Sequence, residues 1–447
     1  MNDARQTRFS ASAVPRNPPG ADPFLVLLAS LWIVICETPY LTRNLHPAIL
    51  GALMGLFVVK SVLGPKATNL FAVDSLIPVS LYVLLELFYK VLGISSAGLG
   101  YYFATYKFLF LFLAMSCIGP VLSRSQQTGL CVLSVAGLLV NMLDNIRIWL
   151  QVGPAAYVVY FMRDGETTNT ADTAFATAVM LLMGAMFLVS RHADGTRLKA
   201  LAWGIVAFCA YVLAFVMQRG TTFFLGFAML LALGFSSGLS SVRNSLKIVF
   251  GLLLLALLGW LLWGGGLESF LAWLATLLEG QRLQSRVLHM LGLLQSGSME
   301  STGGSLAFRY NLMLASLETF TGSPGAFVLG VGDHRLPFNG ADLPVGNHSQ
   351  LIDTFARYGI VGGACFVWLL AHLRKGMCRN SRLPPGSPLR TQMAVLFVFF
   401  LLRTLLGTTL IGSVATQLFV TIPLTVSLLA RGTGVRPEPG FRPSIQQ

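Results

Sequence analysis

Charge is scarce in this sequence. Only 11% of its 447 residues are Asp, Glu, Lys or Arg, against about a quarter in an ordinary soluble domain. With 54% of residues hydrophobic and a mean hydropathy of +0.69, that shortage excludes a soluble globular enzyme. An aromatic content of 11% excludes a disordered chain, which cannot carry so much apolar surface. Of the two signs the acidic one is scarcer, with 18 Asp+Glu against 31 Lys+Arg. In a soluble protein the resulting +13 would point to nucleic acid. In an apolar chain it points to cytoplasmic loops that collect Lys and Arg, so no nucleic-acid partner is expected.

Other absences narrow the chemistry. Cys36, Cys117, Cys131, Cys209 and Cys365 fall in apolar runs and Cys378 in a basic loop, while Gly265 to Gln350 has no cysteine and no disulfide staple. There is no G-x-x-x-x-G-K-[ST], no G-x-G-x-x-G opening a strand–helix unit, no C-x-x-C and no H-E-x-x-H. No Asp-x-Asp pair is present to hold a divalent ion on a nucleotide-sugar, and Asp164-Gly-Glu166 reads as a solvated turn. Neither a metal nor a cofactor is therefore expected, and any free energy must arrive with the substrate. The polar N-terminus lacks an apolar h-region followed by an A-x-A site, so a retained anchor is expected.

What is there is a series of apolar runs near 20 residues, the length that crosses a hydrocarbon core of about 30 Å. They lie near 23–40, 46–64, 75–94, 101–121, 128–150, 171–190, 198–218, 221–240, 246–264, 351–373, 391–411 and 413–430. The expected fold is an all-α polytopic membrane protein of about 12 transmembrane helices with one large, partly helical periplasmic loop. Residues 1–22 form a cytoplasmic tail, 23–264 the first nine spans, 265–350 the loop, 351–430 the last three spans and 431–447 a second cytoplasmic tail. Arg5, Arg8, Arg16, Lys66, Arg124, Arg191, Arg197, Lys199, Arg243 and Lys247 fall in alternate connections, as do Arg374, Lys375, Arg379, Arg382 and Arg390 and the tail's Arg431, Arg436 and Arg442. The opposite short loops hold Arg43, Arg163 and Arg219. That bias puts both termini in the cytoplasm. The loop opens with Leu267-Glu-Ser-Phe-Leu-Ala-Trp-Leu-Ala-Thr-Leu-Leu278, which suits a helix in the membrane interface or one packed on the rest of the loop. No internal repeat relates the two halves, which weakens an inverted-repeat transporter reading.

Five cations stand where the positive-inside rule disfavours them: Lys90, Lys107, Arg147, Arg219 and Arg403, all expected toward the external side. A cation at the centre of a span costs at least about 2.5–3.5 kcal/mol. Glu37, Glu86 and Asp144 offset part of this, with Glu86–Lys90 at i,i+4 and Asp144–Arg147 at i,i+3. Two readings stand side by side. One is a set of ion pairs with snorkelling side chains; the other is a basic cavity at the external boundary for a lipid-anchored anion such as a lipid diphosphate.

The loop's most informative stretch begins with the amphipathic Phe308-Arg-Tyr-Asn-Leu-Met-Leu-Ala-Ser-Leu-Glu-Thr-Phe320, with Arg309 near its start. The Gly-rich turn Ser323-Pro-Gly-Ala-Phe-Val-Leu-Gly-Val-Gly332 follows, and then Gly346-Asn-His-Ser349, which runs through Arg357-Tyr-Gly-Ile-Val-Gly-Gly363 into the tenth span. This order resembles the superfamily of bacterial O-antigen ligases and Wzy-type polysaccharide polymerases. The resemblance rests on Arg309, on Pro324 through Gly332, on His348-Ser349, on Gly359-Ile-Val-Gly362, and on Arg219 in Gln218-Arg-Gly220. Two departures are Gln218 in place of a small hydroxyl residue and a longer run before the glycines of the turn.

The resemblance implies inverting glycosyl transfer from undecaprenyl diphosphate to a hydroxyl of an acceptor glycan, at the outer face of the bacterial inner membrane. His348 would be the general base, a task for a group titrating near neutrality. Arg219 and Arg309 would hold the diphosphate, since a guanidinium can clamp phosphate oxygens bidentately. Lys90, Lys107, Arg147, Arg335 and Arg403 are secondary candidates, with His334 beside Arg335 in a polar loop. Asp353 and Arg357, at i,i+4, are expected to pair. The expected partners are an undecaprenyl-diphosphate-linked oligosaccharide, an acceptor glycan, membrane lipid and a chain-length regulator. His348-Ser349 followed by Arg357-Tyr-Gly359 leans toward the polymerase branch. The alternatives are a ligase moving finished polymer to lipid A–core and, from another class, a transporter or flippase for lipid-linked sugars.

Overall fold

The computed structural model describes residues 20–38, 47–64, 68–92, 99–153, 173–217, 219–236, 264–279, 305–332, 349–407 and 412–432, with isolated positions between 284 and 295 and at 345. Every described element is helical: α1 Pro23–Glu37, α2 Pro47–Leu63, α3 Leu76–Val91, α4 Leu99–Ile118, α5 Arg124–Val152, α6 Thr173–His192, α7 Thr196–Tyr211 and α8 Gly220–Ser236 come first. They are followed by α9 Gly264–Leu277, α10 Ser305–Thr321, α11 Pro324–Leu329, α12 Gln350–Ser381, α13 Pro388–Leu405, α14 Gly412–Thr416 and α15 Ile422–Gly432. A helix occupies each expected span position except 246–264, which lies outside the described residues. Among the described residues six stretches are long and apolar enough to cross a membrane: α5, α6, α7 with its π-helical extension to Val216, α12, α13, and α14 through Ala430. Helices α1, α2 and α8, and the stretch Tyr106–Val121 that overlaps α4, are apolar but shorter. The chain is thus an all-α membrane protein.

Burial separates the centre of the bundle from its rim. The apolar window of α6 is 94% buried and that of α14–α15 is 89% buried, against 39% for α5 and for α7. Small residues allow this density: Gly184 of α6 admits Leu396 of α13 and Met229 of α8, and an added Cβ would sit 2.8 Å from the Met229 methyl. The rim is apolar too. Leu63 on α2 and Val91 on α3 are 80% and 84% exposed, which is the surface a lipid-facing helix presents and which a water-facing one avoids.

A chain of polar contacts gathers one set of helix ends. Asp22 before α1 pairs with Lys60 of α2 at 3.1 Å, and the backbone of Ala21 and side chain of Gln126 tie α1 to α5. Asp74 before α3 pairs with Lys375 of α12 at 2.6 Å. Arg382 donates to the carbonyls of Gly119 and Leu122 after α4. His192 of α6 meets Gln392 of α13 at 3.1 Å, and Arg191 donates to Gly234 of α8. The described Lys and Arg of the alternate connections therefore cluster at one end of the bundle.

In the long connection, α9 packs Leu271, Ala275 and Leu278 against Val287, while Trp273 and Leu277 are exposed. The expected helix over 267–278 is present, and one of its faces packs on the loop.

Candidate functional site

The segments singled out by sequence meet at the first end of α12. Ser349 is its N-cap: the Oγ accepts from the Ile352 N–H, and the Ser349 N–H donates to Asp353 Oδ2 at 2.9 Å. Asp353 Oδ1 accepts from the buried Ser316 hydroxyl of α10 at 2.7 Å. One carboxylate thus joins a helix cap to a second helix, satisfying donors that would otherwise be orphaned. Gln350 donates from its backbone to the Gly407 carbonyl just beyond α13. The cap that follows His348 in sequence is consequently tied to α10 through Asp353 and to the end of α13 through Gln350.

The turn expected over Ser323–Gly332 holds a helix of its own. Ser323 caps α11 by accepting from the Ala326 N–H, Pro324 supplies the fixed φ suited to the first position, and Gly330 ends it at φ 76°. Phe327 of α11 stacks near Phe320 of α10, which in turn packs on Phe355 of α12. α12 is kinked. Gly359 has φ 63° and ψ −165°, so the helix stops at Tyr358 and restarts at Ile360. A stop of this kind leaves carbonyls without partners. Here the N–H groups of Val331 and Gly332 take them, donating to Ala356 and Arg357 at 3.0 and 2.8 Å.

The two glycines are required by contact as well as by φ. A Cβ on Gly330 would collide with the Arg357 carbonyl, and one on Gly359 would collide with the Val328 carbonyl. The Gly-Val-Gly turn and the Gly-Ile-Val-Gly run therefore form one backbone-to-backbone junction. The tenth span expected at 351–373 is divided by it: Gln350–Tyr358 packs on α10 and α11, and the remainder continues to Ser381. Hydropathy rises at Gly359, where Asp353 and Arg357 give way to the uncharged run from Ile360, but helical periodicity alone does not mark a break there.

The other candidates fall as follows. Arg309 lies in the first turns of α10, the helix joined to Asp353. Arg403, 1% exposed near the end of α13, donates to the Leu406 carbonyl at 3.2 Å, one residue before the Gly407 that receives Gln350. Lys90 is exposed at the end of α3, and its neighbour Tyr89 packs edge-on against Tyr358 at 5.0 Å. The half-buried Arg219 precedes α8, its N–H bonded to Leu213 in a π-helical turn. Such turns concentrate at functional sites. Lys107 of α4 is half-buried, and its carbonyl receives the Trp32 indole N–H. Arg147 is 65% exposed and paired with Asp144 at 2.6 Å, as the i,i+3 spacing implied. His348, Arg335, His334 and Gln218 lie outside the described residues. Thus α10, the start of α12, the end of α13 and the end of α3 converge, while Lys107 and Arg147 stand on α4 and α5.

Sequence reasoning undervalued a buried polar seam. Gln417, in a π-helical turn between α14 and α15, donates to the fully buried Glu37 carboxyl at 2.9 Å. Asn141 of α5 donates to the Glu37 backbone carbonyl, and Ser134 meets Thr421 at 2.6 Å. The available signal was polar residues recurring inside apolar spans, with Asn141 and Asn145 one turn apart. No family model matches the chain, and no curated protein matches it.

Proposed function

We propose that this chain is an inner-membrane, metal-independent glycosyltransferase that passes a glycan from undecaprenyl diphosphate to a hydroxyl of an acceptor glycan, as an O-antigen or exopolysaccharide polymerase. The observation that carries the reading is the junction of Gly330-Val-Gly332 with Gly359. The resemblance singles out these two segments separately, and they interlock through backbone bonds beside the cap that follows His348. Lys and Arg gathered at the opposite end of the bundle support a cytoplasmic assignment for that end, with the junction facing the periplasm.

In this reading His348 takes the proton of the acceptor hydroxyl as its oxygen attacks the anomeric carbon. The bond from that carbon to the diphosphate oxygen breaks, and the electron pair leaves with undecaprenyl diphosphate. Diphosphate is a good leaving group, so no general acid is demanded once Arg219 and Arg309 neutralise its charge. Arg403 and Lys90, on helices that converge there, supply further positive charge. A flippase and a chain-length regulator encoded beside this chain would favour polymerase over ligase.

The test is donor-lipid binding and product formation by folded, purified variants. His348→Ala should abolish transfer while leaving donor binding nearly intact. Arg219→Lys and Arg309→Lys should both fail and lose donor affinity by about 1.5–3 kcal/mol, since a point charge does not reproduce a two-toothed contact. A His348→Ala protein that elongates glycan at the wild-type rate removes the general base from this account.

A further inference from the structure

At the last end of α12, opposite the junction, a groove of about 470 Å³ opens between α12 and the start of α13. Its rim is cationic: Arg374 and Lys375 from α12, Arg390 from the first turn of α13. Its wall is apolar, with Met377, Ala394 and Phe397. Along α13 the lining runs from Arg390 to Phe397, two turns or about 10 Å of helix. Charge therefore stands at the mouth and hydrocarbon at depth, in the order in which a phospholipid presents a phosphate and its first methylenes.

The rim carries more positive charge than its partners neutralise. Lys375 is held by Asp74, Arg390 makes one long bond to the Leu383 carbonyl at 3.4 Å, and Arg374 has no hydrogen bond or ion pair among the described residues. Three cations face a single carboxylate. The start of α13 adds the positive end of a helix dipole. Its N-cap Ser387 makes no capping bond, and its buried hydroxyl has no partner among the described residues. A cationic hollow between spans at the membrane surface is the arrangement that retains acidic headgroups.

We propose that this groove binds an acidic phospholipid of the adjoining leaflet, its phosphate between Arg374 and Arg390 and the start of one acyl chain along Ala394 and Phe397. The site pins α12 to α13 from the end away from the junction, and it stands whether or not the chain transfers glycans.

The experiment is native mass spectrometry of the full chain released from nanodiscs of phosphatidylcholine doped with phosphatidylglycerol. Wild-type protein should retain phosphatidylglycerol selectively. An Arg374→Gln/Arg390→Gln protein should retain about tenfold less, given the attraction of each cation to an acidic surface. Arg197→Gln/Lys199→Gln, which removes two cations at the start of α7 outside the groove, should retain it as wild type does. Ala394→Phe, which fills the wall and keeps every charge, should also lose the lipid. Equal retention in the arginine variant, equal loss in the α7 control, or full retention by Ala394→Phe would each overturn the proposal. Displacement of the lipid by millimolar inorganic phosphate would overturn it too, in favour of a site for the free anion.

Discussion

At its first end α12 is held by backbone and by a buried carboxylate: Ser349 and Asp353 form the cap, Ser316 reaches in from α10, and Gly359 meets α11 with no room for a side chain. At its last end the same helix adds charge to close packing of Gly376 on Phe112 and of Asn380 on Gly119. Lys375 pairs with Asp74 while both are more than half exposed, and Arg382 donates to two carbonyls after α4. The first kind of attachment is short-ranged and intolerant of one extra carbon. The exposed Lys375–Asp74 pair is screened by salt and tolerant of substitution. A helix locked in the first way at one end holds Ser349 and Asp353 rigidly.

The largest effect that sharpens this contrast is expected from Gly359→Ala. A left-handed φ and a collision with a carbonyl that cannot move without unmaking α11 should together cost more than about 2 kcal/mol. Thermal unfolding in detergent measures it; a change within about 0.5 kcal/mol would mean that the junction is not tight. Asp353→Ala comes next. It strips the cap and leaves the buried Ser316 hydroxyl without its acceptor, for an expected loss of about 1.5–3 kcal/mol in the same assay.

Asp74→Asn is the smallest, at about 0–1 kcal/mol for an exposed pair. The bond from Lys375 holds the Asp74 carboxyl below its ordinary value, with burial acting the other way and the charges of Arg379 and His372 adding to the lowering. A carboxylate whose folded pKa is depressed stabilises the fold above its unfolded pKa, near 3.8, and that contribution is lost as pH falls through the lower folded value. Wild type and Asp74→Asn should therefore differ at neutral pH and low salt and converge on acidification below that range. A difference that persists in acid and in high salt would assign Asp74 some other role.

Much of this arrangement could be read from residues. The apolar runs give the helices, Arg309 falls in the first turns of α10 as its pattern implies, and Asp144 pairs with Arg147 as their spacing implies. What could not be read is contact between distant backbones. Helical spacing puts Asp353 beside Arg357, but it does not reveal that the carboxylate also accepts from the Ser349 N–H and from Ser316, the latter 37 positions away. Hydropathy rises at Gly359, but the kink itself rests on a close approach to α11 that no local pattern marks. The partners of its flanking carbonyls lie on α11's far side, and only the tertiary fold brings them there. Glu37 reads in sequence as a counter-charge to cations; the Gln417 side chain that donates to it lies 380 positions on.

The central claim is that the glycan's own diphosphate drives transfer and that arginines, without metal or nucleotide, stabilise its departure. The direct measurement is transfer by purified wild-type protein from an undecaprenyl-diphosphate-linked oligosaccharide to an acceptor glycan, with EDTA present and ATP absent. The account predicts elongated product with release of undecaprenyl diphosphate in equal amount. Product that forms only when a divalent ion or a nucleotide is restored would contradict it.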